Sequence, residues 1–216
     1  MTFAHQKLLG LILVSMTLGA SLSACFPLIV GGAMMGTMVV IDRRTSGAQL
    51  DDQNIELRAA SRVSDKMGQR AHVNITSFNR RVLLTGKEPS LPDKELAEQT
   101  VVGLESVQSV VNELALAGNT SLTQRSSDTL ITGRVKAALL DTNNLNLNAF
   151  KVVTERGTVY LMGRVTQREA DRASETVRSI SGVQKVVRVF EIISEEELRA
   201  LSAAPAPATA APTAKQ

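Results

Sequence analysis

Two stretches of the chain spell one pattern: Val82-Leu83-Leu84-Thr85-Gly86 and Val159-Tyr160-Leu161-Met162-Gly163 lie 77 residues apart, and Val107-Gln108-Ser109-Val110-Val111 precedes Val183-Gln184-Lys185-Val186-Val187 by 76. A repeat of this period means one supersecondary unit occurring twice. Hydrophobic periodicity within each copy predicts helix, strand, strand, helix, strand. In the second copy these fall at about 126–140, 149–155, 158–164, 167–180 and 183–193. In the first they fall at about 52–67, 72–78, 81–87, 92–104 and 107–116. Arg156-Gly157 turns the second hairpin, with glycine supplying the positive φ of a two-residue turn, and Asn79-Arg80 stands at the corresponding place. Thr166 followed by Glu169 reads as a capping box opening the fourth element. The fold class expected is α+β, as two tandem αββαβ domains, each a three-stranded sheet covered by two helices.

The start of the chain has a separate purpose. His5 and Lys7 precede an apolar run from Leu8 to Leu18, a length suited to a signal peptide rather than a membrane span. Leu22-Ser23-Ala24-Cys25 follows and resembles the lipobox of bacterial lipoproteins. The resemblance implies removal of residues 1–24 and a diacylglycerol on Cys25. Phe26, where an inner-membrane lipoprotein tends to carry Asp, implies the outer membrane, with the mature chain facing the periplasm. Residues 25–50 are expected to hold the lipidated cysteine and a tether. Residues 26–41 are apolar but too few to cross about 30 Å of hydrocarbon. They read as an interfacial tether, with Gly32-x-x-x-Gly36 leaving self-association as the alternative. Asp42-Arg43-Arg44 closes the segment, and Ser46-Gly47 reads as the start of a polar linker.

Composition removes several classes of function. Aromatics are 3% of the chain and Trp is absent, which argues against a carbohydrate cleft or a base-stacking platform. One Cys and two His cannot furnish a Cys/His zinc site, an internal disulfide or a multi-His centre, so no metal site and no cofactor is expected. There is no G-x-S-x-G, Walker loop, H-E-x-x-H or dinucleotide fingerprint. His72 opens a strand beside Arg70 with no thiol or triad partner. Asp51-Asp52 and Glu195-Glu196-Glu197 read as helix starts that complement the helix dipole. No catalytic residue is assigned, and the chain is not expected to be an enzyme.

The strand ending Val-x-Leu-x-Gly and the Gly182-Val183 entry into the last strand resemble the BON domain. Lipobox, tether and two copies together resemble dual-BON outer-membrane lipoproteins. The domains expected are 51–117 and 126–193, joined by a linker at 118–125, with 194–216 forming a short helix to about Ser202 and an Ala/Pro/Thr tail expected to be disordered. Copy two matches the pattern closely. Copy one departs from it at Asn79-Arg80-Arg81 and Glu105-Ser106, which puts a binding role for that copy in doubt. Gly86 and Gly163 read as close backbone approaches rather than ligand contacts.

Charge separates the copies: residues 51–117 carry eight Lys/Arg against ten Asp/Glu, and residues 124–193 carry eleven against seven. A basic module at a membrane has a partner in anionic phospholipid, at about 1 kcal/mol per basic residue near the surface, and a periplasmic address removes nucleic acid. Ile131, Val135, Ala138 and Leu139 should face the sheet. That leaves Leu130, Gly133, Arg134 and Ala137 on a flanking stripe, with Lys136 further round. Leu130 beside Arg134 pairs an apolar wedge with a phosphate-seeking cation; the bland alternative is a core leucine and a solvated arginine. The family resemblance implies phospholipid binding and envelope maintenance. The competing expectation is an adaptor docking onto another envelope protein or a peptidoglycan-remodelling factor.

Overall fold

The computed structural model describes residues 42–68, 72–88, 90–116 and 122–203. Cys25 with its lipobox, the apolar segment 26–41 and the tail beyond residue 203 lie outside them.

Copy one runs α1 (Ser46–Met67), β1 (His72–Phe78), β2 (Arg81–Glu88), α2 (Leu91–Val102), β3 (Ser109–Asn112) and β4 (Ala115–Leu116). Copy two runs α3 (Leu122–Asp141), a 3-10 turn (Leu147–Ala149), β5 (Phe150–Glu155), β6 (Thr158–Thr166), α4 (Gln167–Arg178) and β7 (Lys185–Ile193), and α5 (Glu195–Ala203) follows. The hairpins β1–β2 and β5–β6 are antiparallel, while β3 and β7 lie parallel to the central strands β2 and β6.

Three expectations need correction. Ser46-Gly47 is helix rather than linker, because the Thr45 hydroxyl accepts the Ala48 N–H at 3.1 Å and caps α1 six residues before the expected start at 52. Residues 122–125, expected as linker, belong to α3. The last strand of copy one is broken, since the Asn112 side chain accepts the Leu114 N–H at 3.2 Å and Leu114 turns into the core. The capping box is present: Thr166 and Glu169 exchange side-chain bonds with each other's backbone N–H.

Each copy buries apolar faces of its two helices against one face of its sheet. Ile55, Ala59, Val63, Ala97 and Val101 meet Val82 and Leu84 in copy one. Ile131, Val135, Leu139, Ala173 and Val177 meet Val159, Leu161 and Val165 in copy two. Alternation along a strand turns the intervening residues to the other face, and those are apolar too. Phe78 and Leu83 of copy one pack against Tyr160, Met162 and Val189 of copy two. The sheets therefore lie back to back with helices outermost. Lys151 ties this interface at its rim by pairing with Glu56 at 2.9 Å and donating to the Ser77 carbonyl at 3.1 Å.

The strand glycines sit at close backbone approaches. A Cβ on Gly163 would lie 2.5 Å from the Ala149 carbonyl oxygen, and one on Gly86 would lie 2.0 Å from that of His72.

Candidate functional site

Helix α3 is held by apolar residues on one side and displays the expected stripe on another. Ile131, Val135 and Leu139 are buried, whereas Leu130 is 63% exposed and Gly133, Arg134, Lys136 and Ala137 are exposed around it. A Cβ on Gly133 would meet no atom within 4 Å. Leu140, 68% exposed, extends the apolar band by one turn. Leu130 thus lies outside the core. The Arg134 guanidinium donates only to the Ser181 carbonyl, at 3.3 Å, and meets no carboxylate among the described residues.

The repeat supplies a control. Counting back 76 residues, Arg134 corresponds to Arg58, and Arg58 faces the Glu105 carboxylate at 3.6 Å. Leu130 corresponds to Asn54. One scaffold therefore presents an uncompensated cation beside a leucine in copy two and a paired cation beside an amide in copy one.

Two carboxylates hold the hairpins, one of them not singled out in the sequence and the other expected at a helix start. Asp128, on the buried side of α3, accepts the N–H groups of Arg156 and Gly157 at 2.8 and 2.9 Å. Asp52 accepts those of Asn79 and Arg80 at 2.8 and 2.7 Å. All four turn residues have positive φ, between 50° and 71°. In copy one no glycine eases that conformation, and Asp52 also accepts the Ser77 hydroxyl at 2.6 Å. Asp51-Asp52 therefore do not sit at a helix start: α1 begins at Ser46, and Asp52 is a turn anchor. The signal was the recurrence of Asp at the repeat spacing. Glu195 to Glu197 do open α5, where Glu195 also pairs with Arg168 and Glu197 with Arg164.

The segment entering copy one is a strap between the copies. Arg43, 6% exposed, donates to both Glu169 carboxylate oxygens at 2.7 Å and to the Arg164 carbonyl at 3.0 Å. Arg44 turns to copy one instead, bonding Asp52 at 2.8 Å and lying 4.4 Å over the Phe78 ring. Burial alone would raise the Glu169 and Asp42 carboxyls. Arg43 and the Thr166 N–H hold Glu169, and Arg44 holds Asp42, below the usual carboxylate range.

His72 is exposed at the start of β1. Among the described residues no group of three or more His, Cys, Asp or Glu could hold a metal ion, and no helix is long and apolar enough to cross a membrane.

Comparison with known proteins places this architecture. The BON domain model matches residues 51–118 and 127–194. The chain is 34% identical over 197 residues to the outer membrane lipoprotein DolP of Haemophilus influenzae, covering 89% of this chain and 100% of that one. It is 33% identical over 155 residues to the 21 kDa hemolysin of Actinobacillus pleuropneumoniae, covering 71% and 80%. A type III secretion structural protein of Chlamydia trachomatis, CdsD, aligns over 68% of this chain and 99% of its own at 14% identity with a TM-score of 0.28, too low to carry any argument. Two matched copies and a relative spanned from end to end lead to one assignment: the chain belongs to the BON-domain family, which is non-enzymatic.

Proposed function

We propose that this chain is a lipid-anchored outer-membrane protein, attached through Cys25 and facing the periplasm, that binds anionic phospholipid through α3 and supports outer-membrane integrity. The observation that carries the reading is Arg134: exposed, unpaired with any carboxylate among the described residues, and next to the 63% exposed Leu130. The similarity to a named outer membrane lipoprotein supports the location. Leu130, Gly133 and Ala137 would enter the lipid interface while Arg134 and Lys136 reach phosphates. Copy one backs the sheet that carries α3.

The test is co-sedimentation of residues 39–216, which form one compact unit, with phosphatidylcholine vesicles containing or lacking phosphatidylglycerol. Arg134→Glu should weaken binding to the anionic vesicles by about 1–2 kcal/mol, combining lost attraction with new repulsion, and Leu130→Asp by at least as much. Unchanged affinity in both folded variants would overturn the reading. In cells, Cys25→Ala should abolish lipid attachment and signal-peptide removal, and normal processing of that variant would sink the anchor assignment.

A second reading has an observation of its own. Leu50 and Leu57, 61% and 72% exposed, lie two turns apart on one side of α1. An adaptor docking onto another envelope protein would use such an apolar face, and its binding would be indifferent to anionic lipid and to salt.

A further inference from the structure

Between copy one and α3 lies an open cleft of about 290 Å³. His72 and Asn74, alternate residues on the exposed part of β1, and Lys87 near the end of β2 form one wall. Arg125 and Thr129 of α3, with Glu155 at the hairpin, form the other. Neither copy alone contains this cleft.

The chemistry of the lining is mixed in a specific way. Arg125 is exposed and meets no carboxylate among the described residues, and His72 opposes it from the other copy with ring nitrogens suited to an anionic oxygen. The Asp128 carboxylate also borders the cleft, but both its oxygens are engaged by the hairpin N–H groups. It keeps its charge, but two N–H dipoles from the hairpin offset part of it. Glu155 and Asn74 add acceptors for hydroxyl groups. A guanidinium on one wall, an imidazole N–H donor on the other and acceptors beside them match a phosphate ester that carries hydroxyls. A volume of 290 Å³ lies at the small end of ligand pockets, the size of such a headgroup and too small for acyl chains.

Position adds to this. Arg125, Thr129, Gly133 and Lys136 follow one another at spacings of four, four and three residues, so they line one side of α3. Gly133 and Lys136 are also the near edge of the exposed Leu130 stripe. A ligand seated in the cleft would leave its substituents beside that apolar band.

We propose that the cleft between the copies is a binding site for a hydroxyl-bearing phosphate ester, with Arg125 and His72 as its phosphate contacts from opposite copies. The lipid source of that group, a phosphoglycerol headgroup whose chains lie along α3, rests on the reading above; a free polyol phosphate is the other source. Copy one then supplies one wall of the site rather than only support.

The experiment uses the lipidated full-length mature protein in phosphatidylcholine nanodiscs. Glycerol phosphate and inorganic phosphate are titrated by calorimetry, and the titrations are repeated with nanodiscs containing phosphatidylglycerol. Glycerol phosphate should bind more tightly than inorganic phosphate. Arg125→Glu and His72→Glu should each weaken it fivefold or more, while Arg125→Lys retains most of the affinity. Arg199→Glu, on α5 and outside the cleft, should leave it unchanged. Thermal melts establish that each variant is folded. If phosphatidylglycerol in the nanodisc competes with glycerol phosphate, the source is lipid; if it does not, the site takes a free phosphate ester. No binding, or binding indifferent to both Arg125→Glu and His72→Glu, overturns the site. Vesicle binding that stays sensitive to Arg134→Glu in that case leaves the α3 reading standing, so the two fail separately.

Discussion

Arg43 and Glu169, 126 residues apart in sequence, meet in a two-pronged ion pair with both bonds at 2.7 Å and both side chains about 5% exposed. The same glutamate closes the capping box of α4, so one buried carboxylate serves the strap and the helix start together. Removing the guanidinium strands a charge that has lost its water. Arg43→Met should therefore cost roughly 3 kcal/mol in denaturant unfolding of the purified chain. Arg43→Lys should recover only part of the loss, because an ammonium lacks the planar fork. Equal stability of wild type and Arg43→Met would show that the strap does not contribute.

Acid should release the same contact. Glu169 and Asp42 are held below their usual range in the folded chain, so the unfolded chain binds more protons as pH falls through the carboxylate range. The stabilisation is complete above the unfolded value, about 4.3 for Glu, and is lost as pH drops through the folded values. Unfolding midpoints should be level near neutrality and fall below about pH 4.5. Glu169→Gln should start lower and show a shallower acid limb.

Tyr160 offers a spectroscopic view of the interface, since it is the single tyrosine of the chain. Burial, reinforced by the Glu113 carboxylate, pushes its phenol up to about 12. Absorbance titration should show no tyrosinate near pH 10, the unperturbed value, while the copies stay packed. Because the folded value is raised, stability is full below about pH 10 and declines as pH climbs toward 12. A phenol titrating near pH 10 in the folded protein would mean that the interface admits water.

The turn carboxylates should differ in weight. Asp52 bonds Arg44, Ser77, Asn79 and Arg80, whereas Asp128 serves chiefly the Arg156-Gly157 turn. Asp52→Asn should cost about 2–4 kcal/mol and Asp128→Asn about 1–2 kcal/mol by chemical denaturation. The reverse order would mean that the glycine-free turn is held by something other than its aspartate.

Leu83 is fully buried although it points away from the helices of its own copy. Leu83→Ala should cost about 2–5 kcal/mol, as a core leucine does. Copy two expressed without copy one should bind apolar dyes and self-associate through the uncovered Tyr160, Met162 and Val189. A monomeric, fully stable isolated copy two would contradict a shared core.

Much of this was legible in the sequence. The repeat, the capping box at Thr166 and the apolar side of α3 follow from spacing alone, and each rests on contacts within a few residues or on one helix. The back-to-back packing was harder to see. Val82-Leu83-Leu84 and Val159-Tyr160-Leu161-Met162 are apolar on both faces, which marks a doubly covered strand but does not say what lies behind it. Arg43 and Arg44 read only as the polar close of the apolar segment, because an ion pair with a residue far along the chain leaves no local trace. The stripe residues Leu130, Gly133, Arg134, Lys136 and Ala137 came from periodicity and are exposed together, while the cleft at His72 and Arg125 required knowing how the copies meet.

The sealed backs of the two sheets decide where this duplicated module has freedom to diverge. A change at Leu83 must be answered at Met162 or Tyr160 in the other half, so the shared seam resists drift in either copy. The outward helices answer to nothing but solvent and whatever docks there. Arg58 facing Glu105 and Arg134 facing only a carbonyl are the outcome: two halves joined at the spine, with their opposite flanks left open to specialise.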